Sequence, residues 1–417
     1  MTTQNKPGTP DLSFGGNGVA DLSREGDGTT VTALTVSTAG KVAKKLGDSS
    51  FVTLIKDSEF ILTKRLENGG PNLSFGNSGS GYSIAQFEKN TARNVPGQIH
   101  LVDDEKKILV IGQCEPDQHN DMCFIGITCF NADGTLDNDF GFEGSTVIRF
   151  NDIPEGHKFS KTASAVQPDG KILVAISASV DTRLARLNSN GTLDDSFGAG
   201  GVVNVHLPET VLQIEGILVQ IDTSKHVKIV VGGTAIPAGR DYGFAARFNA
   251  QGQLDDGDDG RPVFGDKGYA TLEIAERRTV IRAVIQDSEQ NIYLAGSSPA
   301  AGNSGAAVLA SFTADGEKNP GFNKGEGPVL TRVPDANFRW LGAVATTKHL
   351  NVRGYAAGPG IEDIKLARFL LDGSRDADFG EDDNFTTLKK EGEGTIAAQP
   401  NGRLLLTQNH KMHRFLG

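Results

Sequence analysis

The sequence predicts an all-β chain folded as one seven-bladed β-propeller, with four antiparallel strands per blade, over residues 1–417. Three observations carry that prediction. A corner motif recurs seven times, each copy travels with four short β-type runs, and the two chain ends hold complementary parts of one unit.

The corner is marked by a phenylalanine: Phe14 (DLSFGGNG), Phe75 (NLSFGNSG), Phe140 (LDNDFGFEG), Phe197 (LDDSFGAGG), Phe264 (RPVFGDKG), Phe322 (NPGFNKGEG) and Phe379 (RDADFGEDD). Successive markers stand 57 to 67 residues apart. The glycines that follow tolerate the positive φ angles of a sharp chain reversal. The ring itself is read as a wedge between neighbouring blades, worth roughly 1.5–3 kcal/mol by burial.

Four runs surround each corner. A hairpin comes first, as in AVQPDGKILVAIS and AAQPNGRLLLTQ, with Asp-Gly or Asn-Gly at its turn, and in the matching segment QDSEQNIYLAGS. A third apolar run follows, as in RLARLNSNG, GFAARFNAQG and IKLARFLLDG, and a fourth comes after the corner, as in GVVNVHL or GYATLEI. Helical periodicity is nearly absent. A lone four-stranded sheet of this size buries neither face, so each needs neighbours on both sides, and radial repetition satisfies all of them. The blades are expected at about 24–85, 86–150, 151–207, 208–274, 275–332, 333–389 and 390–417 joined to 1–23; residues 24–60 match the pattern least.

A charged pattern accompanies the corners. One residue before the apolar end of the third run stand Arg65, Cys129, Arg186, Arg247, Ser311, Arg368 and Arg414. Three residues before each phenylalanine stand Asp11, Asn72, Asp137, Asp194, Arg261, Asn319 and Asp376. The expected pairs are Arg186 with Asp194, Arg368 with Asp376 and, across the chain ends, Arg414 with Asp11; in the fourth unit an insertion moves the acid to Asp255. Recurrence around a ring marks such pairs as structural.

The ends provide closure. The last residues, GTIAAQPNGRLLLTQNHKMHRFLG, hold three runs of a unit and stop where a corner is due, while the first residues, TPDLSFGGNGVADLS, begin with that corner. Residues 18–23 are therefore expected as the outer strand of the last blade, a clasp covering two sheet edges.

The unit KILVAISASVDTRLARLNSNGTLDDSFGAGGVV resembles the delta-60 repeat family of bacterial repeat proteins, most closely at 130–203. The resemblance implies a propeller-type scaffold and no particular chemistry, so function has to come from a site.

Composition narrows the classes. The net charge of -11 disfavours nucleic acid, whose binding rests on clustered Lys and Arg. Cys114, Cys123 and Cys129 make no disulfide framework. With neither a long apolar run nor a leader-like start, the expectation is a chain without a transmembrane segment, cytoplasmic or exported without a cleaved signal peptide. No HExxH, GxSxG or GxxxxGK[ST] motif occurs. DDGDDG offers Asp255, Asp256, Asp258 and Asp259 as oxygen ligands for calcium, without the spacing of an EF-hand; no other cofactor is expected.

Loops that differ from copy to copy fall on the face opposite the corners, for example EPDQHNDM, AIPAGRDY, NDIPEGHKFS and PDANFRWLG. They nominate His119, His157, Arg240, Asp241, Tyr242 and Trp340 as ligand-binding candidates. The leading expectation is a non-enzymatic module presenting these loops to a protein or glycan partner. Two others stand beside it: a propeller hydrolase or lactonase with a site in the central channel, and a structural component of a bacterial surface or secretion assembly.

Overall fold

The computed structural model describes residues 6–22, 30–36, 50–56, 58–76, 79–89, 91–116, 124–150, 159–178, 181–257, 263–300, 302, 304–381, 383–392 and 394–417. Seven four-stranded antiparallel sheets are arranged as the blades of a propeller. Blade one pairs Thr30–Val36, Ser50–Lys56, Glu59–Arg65 and Tyr82–Ala85; blade two pairs Thr91–Val102, Lys107–Pro116, Phe124–Asn131 and Ser145–Ile148. Blade three pairs Phe159–Val166, Ile172–Ala178, Thr182–Leu187 and Val202–Asn204; blade four pairs Thr210–Ile221, Val227–Pro237, Tyr242–Phe248 and Tyr269–Leu272. Blade five pairs Val280–Gln286, Ile292–Ser298, Ala306–Phe312 and Val329–Thr331; blade six pairs Asn337–Ala345, His349–Gly358, Ile361–Leu370 and Thr386–Lys389. Blade seven pairs Ile396–Ala398, Leu404–Gln408 and Lys411–Phe415, with Val19–Asp21 antiparallel to Lys411–His413 at its outer edge.

The core is divided among the blade interfaces. The cluster of Phe197, Leu173, Val231 and Phe244 joins blades three and four, and that of Phe14, Leu405, Met412, Val52 and Ile61 joins blades seven and one. The first strand of each blade contacts the first strand of the next, including blade seven with blade one, so these strands line a central channel.

All seven corner phenylalanines are buried. Each lies against the turn of the following blade. A Cβ added at Gly191 would stand 2.9 Å from the Phe140 ring, and one at Gly8 would stand 3.0 Å from Phe379. Both glycines hold φ near +87°, so the turn needs glycine for its backbone and for the ring. The residue after each phenylalanine then donates its N–H to the next blade's turn: Gly15 to Asn68, Gly76 to Asp133, Gly141 to Asn190, Gly198 to Gln251, Gly265 to Asp315, Asn323 to Asp372 and Gly380 to Pro7, at 2.6–2.9 Å. In the divergent corner, Asn323 replaces glycine and still adopts φ 49°, a conformation asparagine tolerates better than most residues.

The first strands carry a feature absent from the sequence-based expectation. In blades one to six a β-bulge inserts one extra residue, respectively Thr32, Gly97, Ser160, Glu215, Arg282 and Leu341. In blades two, four, five and six a glycine of the second strand faces the bulge: Gly112, Gly233, Gly296 and Gly354. At Gly233 an added Cβ would lie 1.9 Å from the Gln213 carbonyl oxygen. The bulge breaks the two-residue alternation and re-aims the side chains around it.

Candidate functional site

The recurring charged residues belong to the joints between blades. In blade three the Asp194 N–H donates to the Arg186 carbonyl at 2.9 Å, which brings Arg186 Nε to 2.7 Å from Asp194 Oδ2. Arg186 also stacks 4.5 Å over Phe197 and donates to the Ala250 carbonyl of blade four. The same joint is built by Arg247 with Asp255 at 2.6 Å, Arg368 with Asp376 at 2.6 Å and Arg414 with Asp11 at 2.9 Å. A second cation reaches the same carboxylate from the start of the second strand, namely Lys171 to Asp194, Lys228 to Asp255 and Arg403 to Asp11.

Three blades vary this joint. In blade two Cys129 replaces arginine, its Sγ lying 3.6 Å from Asp137, and Lys107 supplies the cation at 2.8 Å. Burial, with the Asp137 charge, pushes the Cys129 thiol up to about 12. In blade five the pair is neutral: Asn319 Nδ2 donates to Ser311 Oγ at 3.1 Å. In blade one the Asn72 N–H pairs with the Lys64 carbonyl, so Lys64 holds this position and the sequence assignment of Arg65 is one residue off. Arg65 takes the place of the apolar residue that ends the strand in the other copies.

The predicted ligand residues do not converge. Trp340 is 0 % exposed, packed edge-on against Phe338 and Phe369 between blades five and six, so its ring is unavailable to a ligand. Asp241 is buried; its carboxylate accepts from Arg278 Nε at 3.0 Å and its carbonyl from the Thr279 N–H, which ties blade four to blade five. Tyr242 is half-buried against the cluster between blades three and four. Arg240 is exposed. His119, His157, Asp258 and Asp259 lie outside the described residues. Asp255 was expected both as a joint residue and as a calcium ligand; with both oxygens bonded to Lys228 and Arg247, it serves the joint. Asp256 lies close enough to Tyr269 for its charge to add to burial in raising the phenol's pKa.

Open space lies elsewhere. At the rim of blade two a groove of about 620 Å³ is lined by Gln86, Glu88, Lys89, Phe142, Glu143, Ser145 and Arg149, among others. Phe142 is 80 % exposed. The same corner position holds Gly16, Asn77, Ala199, Asp266, Lys324 or Glu381 in the other copies. Its backbone is fixed by mutual hydrogen bonds with Ser145 at 2.8 and 3.1 Å, so the aromatic ring is presented by a rigid corner. Ion pairs Lys89–Glu143, at 2.6 Å, and Arg149–Glu88 border it. The groove is open because Ser145 is small. In blade four Tyr269 occupies the equivalent position and its hydroxyl donates to the His206 carbonyl, whereas Ser145 reaches the corresponding Gln86 carbonyl at 3.5 Å. Blade three repeats the groove at about 580 Å³, with Ala199 in place of the aromatic and Arg149 shared.

A third cavity, of about 380 Å³, opens on the channel between the first strands of blades two to five. There His100 Nε2 lies 2.8 Å from Ser164 Oγ, which donates to Gln98 Oε1 at 2.5 Å. Burial pushes the His100 imidazole down to about 4, leaving it neutral near pH 7. An ion pair of two bulge residues, Glu215 and Arg282, spans blades four and five at 3.3 Å. Neither cluster was singled out from the sequence; the only trace of the bulges there is the glycine inside the second run. Among the described residues no three His, Cys, Asp or Glu side chains gather as a metal-binding group, and no helix is long and apolar enough to cross a membrane.

Residues 167–197 match a family described as a domain of unknown function (DUF5122) beta-propeller. No curated protein matches. Among solved structures, the chain is similar to polysaccharide lyase Uly1, at 11 % identity over 100 % of this chain and 98 % of that one, with a TM-score of 0.47. It is similar to a PL25 ulvan lyase at 10 % identity, covering 95 % and 94 % of the two chains, TM-score 0.44. A third likeness is to an α-L-arabinofuranosidase from Fusarium graminearum, at 10 % identity over 89 % and 98 %, TM-score 0.41.

Proposed function

We propose that this protein is a non-enzymatic binding module that engages a protein or carbohydrate partner, with the rim groove of blade two as its recognition site. The delta-60 resemblance agrees with a scaffold of this kind and assigns it no chemistry. One observation carries the reading: Phe142 is an 80 % exposed aromatic at a position where the six other copies place small or polar residues. The fold makes no demand for an aromatic ring there, and burial does not explain it. An aromatic face bordered by carboxylates and cations suits a sugar ring or an aromatic-seeking peptide, since it offers stacking together with directional hydrogen bonds.

A channel enzyme draws less support. In the channel cavity the hydroxyl beside His100, that of Ser164, already gives its proton to Gln98, so His100 is not placed to withdraw it. The assembly reading draws on the exposed leucines of four successive corners, Leu12, Leu73, Leu136 and Leu193, which occur one to a blade.

The test is a glycan array and a pull-down from the native host with the wild-type chain, repeated with Phe142→Ala and Arg240→Glu. Loss of about tenfold or more in affinity for Phe142→Ala at unchanged melting temperature is expected, with Arg240→Glu close to wild type. The reverse pattern would return the site to the variable loops and overturn the rim assignment.

A further inference from the structure

The channel cavity is independent of the rim groove, and its chemistry selects a different kind of ligand. Its walls include His100, Ser164 and Gln286 on one side of the balance and Ile217, Val219 and Pro168 on the other. We propose that this cavity binds a small, uncharged polyhydroxylated molecule of the sugar or polyol class.

The proton inventory defines the polar half. Ser164 has one hydroxyl proton and gives it to Gln98 Oε1 at 2.5 Å. Its oxygen therefore accepts from His100 at 2.8 Å, which places the single proton of the neutral imidazole on Nε2 and leaves Nδ1 as an acceptor. Burial holds that imidazole neutral down to about pH 4. Gln286 spends its Nε2 on the Val219 carbonyl at 2.9 Å, while its Oε1 is buried without a hydrogen-bond partner. Buried acceptors of this kind are normally satisfied, and this one is closed off from the cavity, so the acceptor left for a ligand hydroxyl is Nδ1 of the cavity-lining His100.

The apolar half completes the match. Ile217 and Val219 of blade four, with Pro168 from the blade three hairpin, form an aliphatic wall. A pyranose or polyol presents hydroxyl donors on one side and C–H surface on the other. No residue lining the cavity carries a charge while His100 is neutral, so a carboxylate or ammonium ligand would be desolvated without a counter-ion. A cavity of about 380 Å³ sits at the low end of the range for small-molecule sites, which suits one or two sugar rings.

Isothermal titration calorimetry and saturation-transfer NMR on the full chain test the proposal, with glucose, maltose, trehalose, inositol and sorbitol set against glucuronate and glucosamine. At least one neutral compound should bind saturably, with its charged relatives about tenfold weaker or more. Ser164→Val, which replaces the hydroxyl with methyl groups, should weaken binding about tenfold, and Ile217→Trp, which fills the cavity, should abolish it. Phe142→Ala should leave this affinity unchanged, which separates the result from the rim reading. Absence of saturable binding by every neutral compound at millimolar concentration overturns the proposal. So does preferred binding of the charged compounds, or wild-type affinity in both Ser164→Val and Ile217→Trp.

Discussion

Asp194 shows how one carboxylate can carry a joint. Burial alone would raise its pKa, but hydrogen bonds from Lys171 and Ser196 and the charge of Arg186 hold it well below the ordinary carboxylate range; Asp11 and Asp376 are lowered in the same manner. The folded pKa lies below the unfolded value, so the unfolded chain binds more protons as the pH falls. The stabilisation is therefore fully present above about pH 5 and is lost progressively below it. Urea midpoints should drop steeply between about pH 5 and pH 2. Asp194→Asn should lose about 3–5 kcal/mol at neutral pH, because it strands Arg186 and Lys171 beside a neutral amide, and its pH profile should be flatter. Parallel profiles for the two proteins would show that other groups govern the acid transition. The arginine–aspartate pattern was readable in the sequence because the two partners recur eight residues apart, in Arg186–Asp194, Arg247–Asp255 and Arg368–Asp376, just ahead of the corner. Unit one was misplaced by one residue because Arg65 occupies an otherwise apolar position, and a polar residue there hides the register.

The strand is the scale at which legibility stops. Third strands and corners repeat both their residues and their spacing, so they can be found by comparing the chain with itself. First strands repeat only their backbone. The bulge residues Gly97, Glu215, Arg282 and Leu341 share no chemistry, and an inserted residue shifts the period-two alternation by one, so the side chains facing the channel look misplaced. His100, Ser164 and Gln98 fall in those strands, which is why the channel cluster was invisible beforehand. Phe142 was passed over for another reason: it stands two residues after a corner phenylalanine, and only the burial of Phe140 and exposure of Phe142 tell the two apart. The glycine opposite the bulge gives a direct test. Gly233→Ala would drive a methyl group into the Gln213 carbonyl and should cost about 1–3 kcal/mol through displacement of the first strand. Gly239→Ala, at an exposed position with nothing within 4 Å, should be close to neutral. Equal melting temperatures for the two variants would mean that the first strand adapts without strain.

At the scale of the whole ring, stability depends on every joint being made, since each blade buries its faces only against its neighbours. Six joints connect blades that follow one another along the chain. The last of these, between blades six and seven, draws on the N-terminal segment, with Gly8 under Phe379 and the Pro7 carbonyl accepting from Gly380, and the seventh, between blades seven and one, requires residues 6–22 as well: Phe14 packs against Gly69 of blade one, and Asp11 accepts from Arg414 across 403 positions of sequence. Removing residues 1–23 would strip blade seven of its outer strand, bare the edge of Lys411–Phe415 and leave the buried Arg414 guanidinium without its carboxylate. An exposed strand edge of that kind invites pairing with other chains. The truncated protein should aggregate, or melt well below the full chain, in calorimetry and light scattering, and a peptide spanning residues 6–22 should restore part of the loss when added in trans. A monomeric truncation product with the melting temperature of the full chain would show instead that six consecutive joints hold the ring and that the segment is an ornament of blade seven.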